Sequence, residues 1–281
     1  MKNKQKKYLF FDVDNTLVPH GQKMPASTIK ALKLLQANGN EIFVVSGRAH
    51  NNIHNFVLDF GFDGIVSGCG TRIQYKNIDL FHHPLSTEEH KATLNILKEK
   101  NIAYVVQTNK NLIAKPFFFN RFYNKKISVK EVLQSEDDEG FIETFGEVLY
   151  GNADNSYKYD NTESIWYFLS DIPSKELSSY LPDTLRAISW GKNSTLDRGE
   201  ICSSIYTKGW AINFLIENLK INRKETIAFG DSLNDVDMIS TSYTGIAMGN
   251  ACEELKKTAD YVTDDCTNDG IYNALKKLDL I

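Results

Sequence analysis

The stretch YLFFDVDNTLV (residues 8–18) places two acids, Asp12 and Asp14, directly behind a run of large apolar side chains. Such a run is typical of a strand that is buried on both faces. An unpaired carboxylate is strongly disfavoured there, so each acid must be paired, bound to a cation or placed at the rim of the sheet. Because strand side chains alternate, we expect Asp12 and Asp14 to project to the same side.

The segment that follows alternates helices and strands. MPASTIKALKLLQANG has the apolar spacing of a helix, for which Ser27 is the expected N-cap and Gly39 the expected stop. EIFVVSGR predicts a second buried strand that ends at Ser46, and a helix near residues 49–59 leads to a third strand in DGIVSGCGTRI. This alternation indicates a parallel sheet covered by helices.

The middle of the chain has a different pattern of predicted helices and strands. Residues 86–100 read as a helix in which Ser86 and Glu89 form a capping box, and IAYVVQT with NLIAK predicts a hairpin around residues 109–111. Further helix and strand candidates run through VKEVLQ, SIWYFLS, SKELSSYL and TLRAISW. After about residue 200 the first pattern returns, with a helix in KGWAINFLIENL and buried strands in TIAFGD and TGIAMGN.

This order of elements predicts an α/β fold made from both chain ends. We predict a Rossmann-like parallel-sheet core formed by residues 1–82 and 193–281, with an α+β domain inserted at residues 83–192.

Composition narrows the function classes. The chain has 281 residues, of which 42% are hydrophobic and 24% charged, as in globular proteins. The formal net charge of −4 does not favour a nucleic-acid partner. No stretch approaches the length of a membrane span, and the apolar run after the N-terminal lysines is too short for a signal peptide. The cysteines form no CxxC pair, so we expect a reduced, cytoplasmic protein with no membrane partner. They are Cys69, Cys202, Cys252 and Cys266.

Four short clusters fall at the carboxyl ends of predicted core strands, where open α/β sheets bind ligands. They are DVDNT (12–16), SGR (46–48), TKG (207–209) and GDSLND (230–235). Their acids supply only oxygen donors, and hard oxygen ligands favour Mg²⁺ over zinc. The candidate metal ligands are Asp12, Asp14, Asp231 and Asp235.

The same clusters contain groups that suit an anion. The hydroxyl of Ser46 and the backbone N–H groups of Ser46 and Gly47 are expected at the start of a helix, where phosphate oxygens bind. Lys208 adds a compact positive charge, and Thr16 is expected to join the acids as the chain turns. Carboxylates, a metal and a phosphate cradle together point to phosphoryl transfer.

These motifs resemble the haloacid dehalogenase superfamily: DxDxT, a Ser before Gly-Arg, a lone Lys and GDSxND. The C-terminal segments resemble one subfamily in particular. GDSLNDVDMI, TGIAMGNACEELKKTADYVT and DGI are similar to the Cof-type subfamily, which has a type IIB cap domain. The resemblance implies a Mg²⁺-dependent phosphatase for small phosphorylated metabolites, with sugar phosphates as the first expectation. The inserted domain would be the cap that covers the site and selects the substrate.

The resemblance also implies residue roles. Asp12 would be the nucleophile that forms an aspartyl-phosphate, and Asp14 would protonate the leaving oxygen and then activate water. Mg²⁺ would take the carboxylates of Asp12 and Asp231 and the backbone carbonyl of Asp14, with Asp235 as a ligand or next to the ligands. Lys208 would also restrain Asp12. The residues expected to bind the substrate phosphate are Thr16, Ser46, Gly47, Lys208 and Asn234.

Several alternatives stay open at this stage. A phosphomutase or phosphotransferase could use the same core and cap, and a non-catalytic phosphate sensor or receiver-like module is a third possibility. The aromatic stretch KPFFFNRFYN (115–124) suits either a specificity pocket or the packing of the cap, and Arg48 suits either a structural or a functional role. The substrate is not readable, and both a monomer and a homodimer are compatible with the sequence.

Overall fold

The structure is a computed structural model that describes residues 5–109, 112–114, 148–150, 161–193 and 195–281. The chain divides into two compact units. The first unit comprises Met1–Ser46, Asn55–Leu80 and Tyr206–Ile281, and the second comprises Gly47–His54 and Phe81–Ile205.

The first unit contains most of the helices and the parallel strands. Its strands are β1 (Tyr8–Phe11), β2 (Glu41–Val45), β3 (Gly64–Ser67), β4 (Arg72–Tyr75), β12 (Thr226–Gly230), β13 (Thr244–Ala247) and β14 (Tyr261–Val262), and β5 (Ile78–His82) crosses its boundary. Its helices are α1 (Ala26–Ala37), α2 (Asn55–Leu58), α5 (Lys208–Asn218), α6 (Val236–Thr241), α7 (Glu253–Thr258) and α8 (Gly270–Lys277).

These strands form one sheet in the order β14-β13-β12-β1-β2-β3-β4-β5. The pairs from β14 to β3 are parallel, and β4 is antiparallel to β3. The central strands β2 and β12 are buried along their whole length, as the continuous apolar runs predict. The predicted α/β class and Rossmann-like parallel core are therefore confirmed.

Helix α1 buries the apolar face that its sequence spacing predicts. Its buried face includes Ala31, Leu32 and Leu35, and Gly39 follows its end with a φ of +81°, a left-handed conformation suited to glycine. The prediction of Ser27 as the N-cap is wrong, because the helix begins at Ala26 and Pro25 occupies the cap position. Proline at the helix entrance has no N–H to satisfy and a φ already near that of a helix.

Two further predictions for the first unit need correction. The helix expected near residues 49–59 is a single 3₁₀ turn, His50–Asn52, followed by the one-turn helix α2. The glycine-bearing third strand is two antiparallel strands, β3 and β4, joined by a 3₁₀ turn at Gly68–Gly70. In that turn Cys69 has a φ of +61°, so the chain reverses where an extended strand was expected.

The second unit is an antiparallel sheet with helices. Its strands are β6 (Ala103–Thr108), β7 (Leu112–Ala114), β8 (Val148–Tyr150), β9 (Thr162–Ser170), β10 (Leu185–Asn193) and β11 (Leu196–Ser203), and its helices are α3 (Thr87–Glu99) and α4 (Ser174–Ser178). The sheet order is β10-β11-β9-β6-β7-β8. The predicted hairpin is confirmed as the antiparallel pair β6–β7, and the capping box of Ser86 and Glu89 is confirmed at the start of α3.

The hydrophobic core of this unit lies on one face of its sheet. Ile165, Tyr167 and Ile201 on the strands pack in one cluster with Leu97 of α3 and Leu177 of α4. Strand β11 pairs with both β9 and β10, so the second unit continues past the predicted domain limit at 192/193 as far as Ile205.

The residues of the helix predicted in VKEVLQ and of the aromatic stretch at 115–124 lie outside the described part of the chain. Within the described ranges, no helix is both long and apolar enough to cross a membrane.

Candidate active site

The acids gather at the carboxyl edge of the first unit's sheet. In the register of the sheet, Phe11 lies between Val44 of β2 and Phe229 of β12. Asp12 is the next residue after Phe11, and its N–H donates to the carbonyl of Phe229 over 3.0 Å. Because the neighbouring parallel strands end at the same edge, the residues that follow β12 and β2 lie on either side of Asp12.

Lys208 joins two of the acids. Its Nζ donates to Oδ1 of Asp12 over 2.6 Å and to Oδ1 of Asp235 over 2.6 Å. The lysine is 1% exposed and is the first residue of α5, whose N-cap Thr207 accepts the N–H of Trp210. The resemblance implied that Lys208 binds phosphate and restrains Asp12, and in the structure its ammonium contacts both Asp12 and Asp235.

Asp235 is fully occupied by the protein itself. Its second oxygen, Oδ2, accepts the backbone N–H groups of Asp231 and Ser232, each over 3.0 Å, in a capping box around the 3₁₀ turn Leu233–Asp235. Both oxygens are therefore engaged, which favours a supporting role for Asp235 over that of an open metal ligand. Gly230 makes this arrangement possible, because a Cβ there would lie 2.6 Å from the Cβ of Asp235.

Thr16 contacts an acid in the same site. Its Oγ1 donates to Oδ1 of Asp231 over 3.2 Å, and the threonine is 1% exposed. The hydrogen bond orients one oxygen of Asp231 and leaves the other for a ligand. Sequence reasoning expected Thr16 to join the acids and to bind the substrate phosphate, but it did not name Asp231 as the partner.

Asp14 lies on the loop after β1 and is half-buried. Asn15 has a φ of +60°, the left-handed conformation that its type tolerates, and its carbonyl accepts Nδ2 of Asn250 over 2.8 Å. Asn250, from the segment TGIAMGN, is a second supporting residue that the sequence reading missed. The Asp14 carboxylate is close enough to Asp12 to raise the pKa of that group, so the two acids share one site.

Burial and mutual repulsion dominate the electrostatics. Burial, followed by the Asp235 carboxylate, raises the pKa of Asp12 to about 8, although Lys208 opposes the shift. Burial and then Asp12 and Asp235 raise the pKa of Asp231 well above its ordinary value. Burial lowers the pKa of Lys208, but Asp12 and Asp235 outweigh it, so that pKa also lies well above its ordinary value.

This donor set fits a divalent cation. One carboxylate oxygen each of Asp12, Asp231 and Asp235 lies within 4.8 Å of the others, and all three residues are buried. Three carboxylates and one ammonium give a formal charge of −3 + 1 = −2, which a single dication neutralises. Asp231 uses Oδ1 to accept the hydroxyl of Thr16, and a hard ion would take its second oxygen.

The two residues expected to bind phosphate after β2 differ in their surroundings. Ser46 is 1% exposed, and its N–H donates to the carbonyl of Val66 over 2.8 Å, so the expectation of a free N–H at Ser46 is wrong. Gly47, the next residue, forms no backbone hydrogen bond within the described residues. Asn234 is half-buried, and its Oδ1 accepts the hydroxyl of Ser232 over 2.7 Å.

The turn after β3 supports the lysine. A Cβ on Gly70 would lie 2.5 Å from the carbonyl oxygen of Thr207, and Gly70 has a φ of +125°. Only glycine permits this approach of the turn to the start of α5. Cys69 of the same turn is buried and close enough to Lys208 to affect its pKa. The Gly-Cys-Gly triplet after a predicted strand was the available signal for this close packing.

A parallel sheet that collects three carboxylates and a lysine at the ends of its central strands is suited to phosphoryl transfer. The chain matches the haloacid dehalogenase-like hydrolase family over residues 9–275 and belongs to it, within the Cof-type group.

Named phosphatases are among the relatives that resemble this chain. Phosphatase YwpJ of Bacillus subtilis is 28% identical over 293 residues, which cover 97% of this chain and 99% of the relative. HMP-PP phosphatase of Klebsiella pneumoniae is 23% identical, covering 94% of this chain and 93% of the relative. Among solved structures, the subclass IIB sugar phosphatase BT4131 is 25% identical with a TM-score of 0.80, covering 98% of this chain and 100% of that one.

Proposed function

We propose that this chain is a Mg²⁺-dependent phosphatase that hydrolyses small phosphorylated metabolites, sugar phosphates first, through an aspartyl-phosphate at Asp12. The observation that carries the proposal is the buried cluster of Asp12, Asp231 and Asp235 around the ammonium of Lys208. The similarity to a sugar phosphatase supports the substrate class, and the donor set supports the metal.

The first chemical step is assigned to Asp12. Lys208 holds Oδ1, so Oδ2 attacks phosphorus while the bond from phosphorus to the ester oxygen breaks. Asp14 gives its proton to the departing oxygen, which leaves as an alcohol. Mg²⁺, held by Asp12, Asp231 and the carbonyl of Asp14, would neutralise charge on the phosphoryl oxygens.

The second step restores the enzyme. Asp14, now ionised, takes a proton from water, and the water oxygen attacks phosphorus. The bond between phosphorus and Asp12 breaks and inorganic phosphate leaves. The hydroxyl of Ser46, the N–H of Gly47, Asn234 and Lys208 are proposed to hold the phosphoryl oxygens, because phosphoryl transfer depends on positioning and charge neutralisation.

Phosphate release tests the proposal directly. The purified chain is assayed with a panel of phosphorylated metabolites that includes hexose phosphates, with and without Mg²⁺ and EDTA. We expect Mg²⁺-dependent release of inorganic phosphate that EDTA abolishes, whereas an isomerised sugar phosphate without free phosphate would indicate a mutase. A wild-type chain that releases phosphate from no ester contradicts the proposal.

Variants assign the nucleophile. Asp12→Asn is expected to lower turnover by several orders of magnitude, while the matched control Asp59→Asn, at an exposed position, retains it. In Asp14→Asn, assayed with p-nitrophenyl phosphate because its leaving group needs no added proton, the intermediate should persist, and mass spectrometry after acid quenching should find phosphate on the peptide that contains Asp12. Undiminished activity of Asp12→Asn would remove Asp12 from the mechanism.

A further inference from the structure

The segment that follows the phosphate-binding serine belongs to the second unit. Gly47–His54 clusters with Phe81–Ile205, although Ser46 and Asn55 on either side belong to the first unit. The segment has little structure of its own, since it contains a single 3₁₀ turn closed by the N–H of Asn52 on the carbonyl of Ala49, over 2.8 Å. Its conformation must therefore come from what it contacts.

Gln107 of β6 is the centre of those contacts. Its Oε1 accepts the N–H of Ala49 and Nδ2 of Asn52, each over 3.2 Å. Its Nε2 donates to Oγ of Ser164 on the neighbouring strand β9, over 2.5 Å. Gln107 is 0% exposed, and a buried glutamine in a strand is costly unless its amide is satisfied in this way.

Two glutamates hold the same segment. Glu163 of β9 is 0% exposed, and its Oε2 accepts the N–H of His50 over 3.3 Å. Glu200 of β11 lies against Gly47 so closely that a Cβ on the glycine would be 2.6 Å from Oε2. Strands β11, β9 and β6 are adjacent in the sheet. Three buried polar side chains, one from each strand, therefore lie against the segment Gly47–His54.

Gln107 and Glu200 lie on the face of the sheet that the hydrophobic core does not use, whereas Glu163 is the extra residue where the pairing of β9 with β6 is irregular. Gln107 lies directly opposite Ser164, and Glu200 lies opposite Trp166, two residues farther along β9. Side chains two residues apart share a face, whereas Ile165 and Tyr167 of the hydrophobic cluster point the other way. Gln107 and Glu200 therefore do not face that core, and the segment Gly47–His54 is among the groups that they contact.

We propose that Gln107 is a positioning residue for substrate phosphate, which acts through Ala49 and Asn52 to hold Gly47 in its binding conformation. This inference rests on the proposed phosphate role of Gly47. It makes phosphate affinity depend on a buried side chain that is distant in sequence from all four motifs.

The test compares two substitutions of nearly the same size. Gln107→Met removes the acceptor for both N–H groups. Gln107→Glu keeps it, because an acid buried beside Glu163 and Glu200 stays protonated, so that its carbonyl accepts from Ala49 and Asn52 and its O–H donates to Ser164. For Gln107→Met we expect the Kd of inorganic phosphate, measured by calorimetry with Mg²⁺, and the KM of p-nitrophenyl phosphate to rise about 5- to 20-fold, with kcat within about threefold. Gln107→Glu should stay within about twofold of wild type in all three.

Amide hydrogen exchange gives a readout that does not need turnover. The N–H of Ala49 should lose protection in Gln107→Met and keep it in Gln107→Glu. Ser178→Ala is the control, since it removes a hydrogen bond to Ala187 in the same unit without touching the segment. We expect it to lower the Tm and to leave the Kd for phosphate unchanged.

The outcomes separate this inference from the proposed function. A wild-type chain that hydrolyses no ester overturns the function itself. An active wild type with Gln107→Met unchanged in Kd and KM, or with Gln107→Glu no better than Gln107→Met, overturns only the positioning role. If Gln107→Met does not fold, Asn52→Ala decides the matter: a raised Kd for phosphate supports the role and an unchanged one refutes it.

Discussion

Lys208 donates through Nζ to Oδ1 of Asp12 over 2.6 Å, and both residues are almost completely buried. A second bond of equal length ties the same ammonium to Asp235. The lysine therefore restrains one oxygen of the proposed nucleophile and offsets part of the repulsion between the acids. The consequences for catalysis can be measured by changing one member of the site at a time.

Replacing the lysine should disable the site. Lys208→Met removes the only ammonium bonded to Asp12 among the described residues, and we expect kcat to fall on the order of 100- to 1,000-fold. Lys208→Arg should not restore it, because the larger planar guanidinium does not fit a fully buried position between two carboxylates. Steady-state kinetics give the measurement, with Lys256→Met, at a helix surface, as the control. Wild-type turnover in Lys208→Met would refute the restraint on Asp12.

Replacing Thr16 should weaken the binding of Mg²⁺ more than the binding of substrate. Thr16→Val removes the hydrogen bond that orients Oδ1 of Asp231, and supporting contacts of this kind typically contribute about 10- to 100-fold to metal affinity or activity. We expect the Mg²⁺ concentration for half-maximal activity to rise about 10-fold or more. Thr28→Val, at a buried threonine of α1, controls for the loss of a buried hydroxyl. A raised KM for substrate with an unchanged Mg²⁺ requirement would instead place Thr16 at the phosphate.

Gly230 should tolerate no side chain. The Cβ of Gly230→Ala would lie 2.6 Å from Cβ and 2.7 Å from Cγ of Asp235, so Asp235 must move and its bond to Lys208 must weaken. We expect overpacking to cost about 1–3 kcal/mol of unfolding free energy, together with a marked loss of turnover. Gly39→Ala is the matched control, since Gly39 has a φ of +81° and nothing within 4 Å of its Cβ. Gly39→Ala should lower the free energy of unfolding without lowering turnover. Equal turnover in Gly230→Ala and Gly39→Ala would argue against the positioning of Asp235.

The capping box of α3 should give a pH-dependent contribution to stability. Burial raises the pKa of Glu89, but hydrogen bonds from Thr184 and Ser86 outweigh it, so the pKa lies below its ordinary value of 4.5. A lowered pKa in the folded state means that the ionised group stabilises the protein above pH 4.5 and that this gain is lost as the pH falls through the folded value. The Tm of wild type should therefore exceed that of Glu89→Gln at pH 7, with the difference shrinking in acid.

The partner of Glu89 in the capping box gives a second measurement. Ser86→Ala removes the acceptor for the N–H of Glu89 and should cost about 1 kcal/mol of unfolding free energy at neutral pH. A difference between wild type and Glu89→Gln that is constant from pH 3 to pH 7 would contradict the pH dependence.

Much of the first unit was predictable because its signals are local. The continuous apolar runs around Phe10, Val44 and Phe229 predicted buried parallel strands, and the acids directly after them had to lie at the sheet edge. The capping box at Ser86 was equally readable, because its two partners are three residues apart. The segment after Ser46 was misread as a helix, since its apolar spacing suits one and the contacts that hold it are remote in sequence.

The sequence alone determined the fold class, the family and the set of oxygen donors, because strand periodicity and motif spacing are properties of neighbouring residues. Only the tertiary structure decided how the donors share their bonds: that Lys208 spans Asp12 and Asp235, that Thr16 turns toward Asp231, and that Gln107 holds the segment after Ser46. Each of these pairs is separated by 27 to 215 positions along the chain. No periodicity connects such residues, and the packing of the strands and helices is what brings them together.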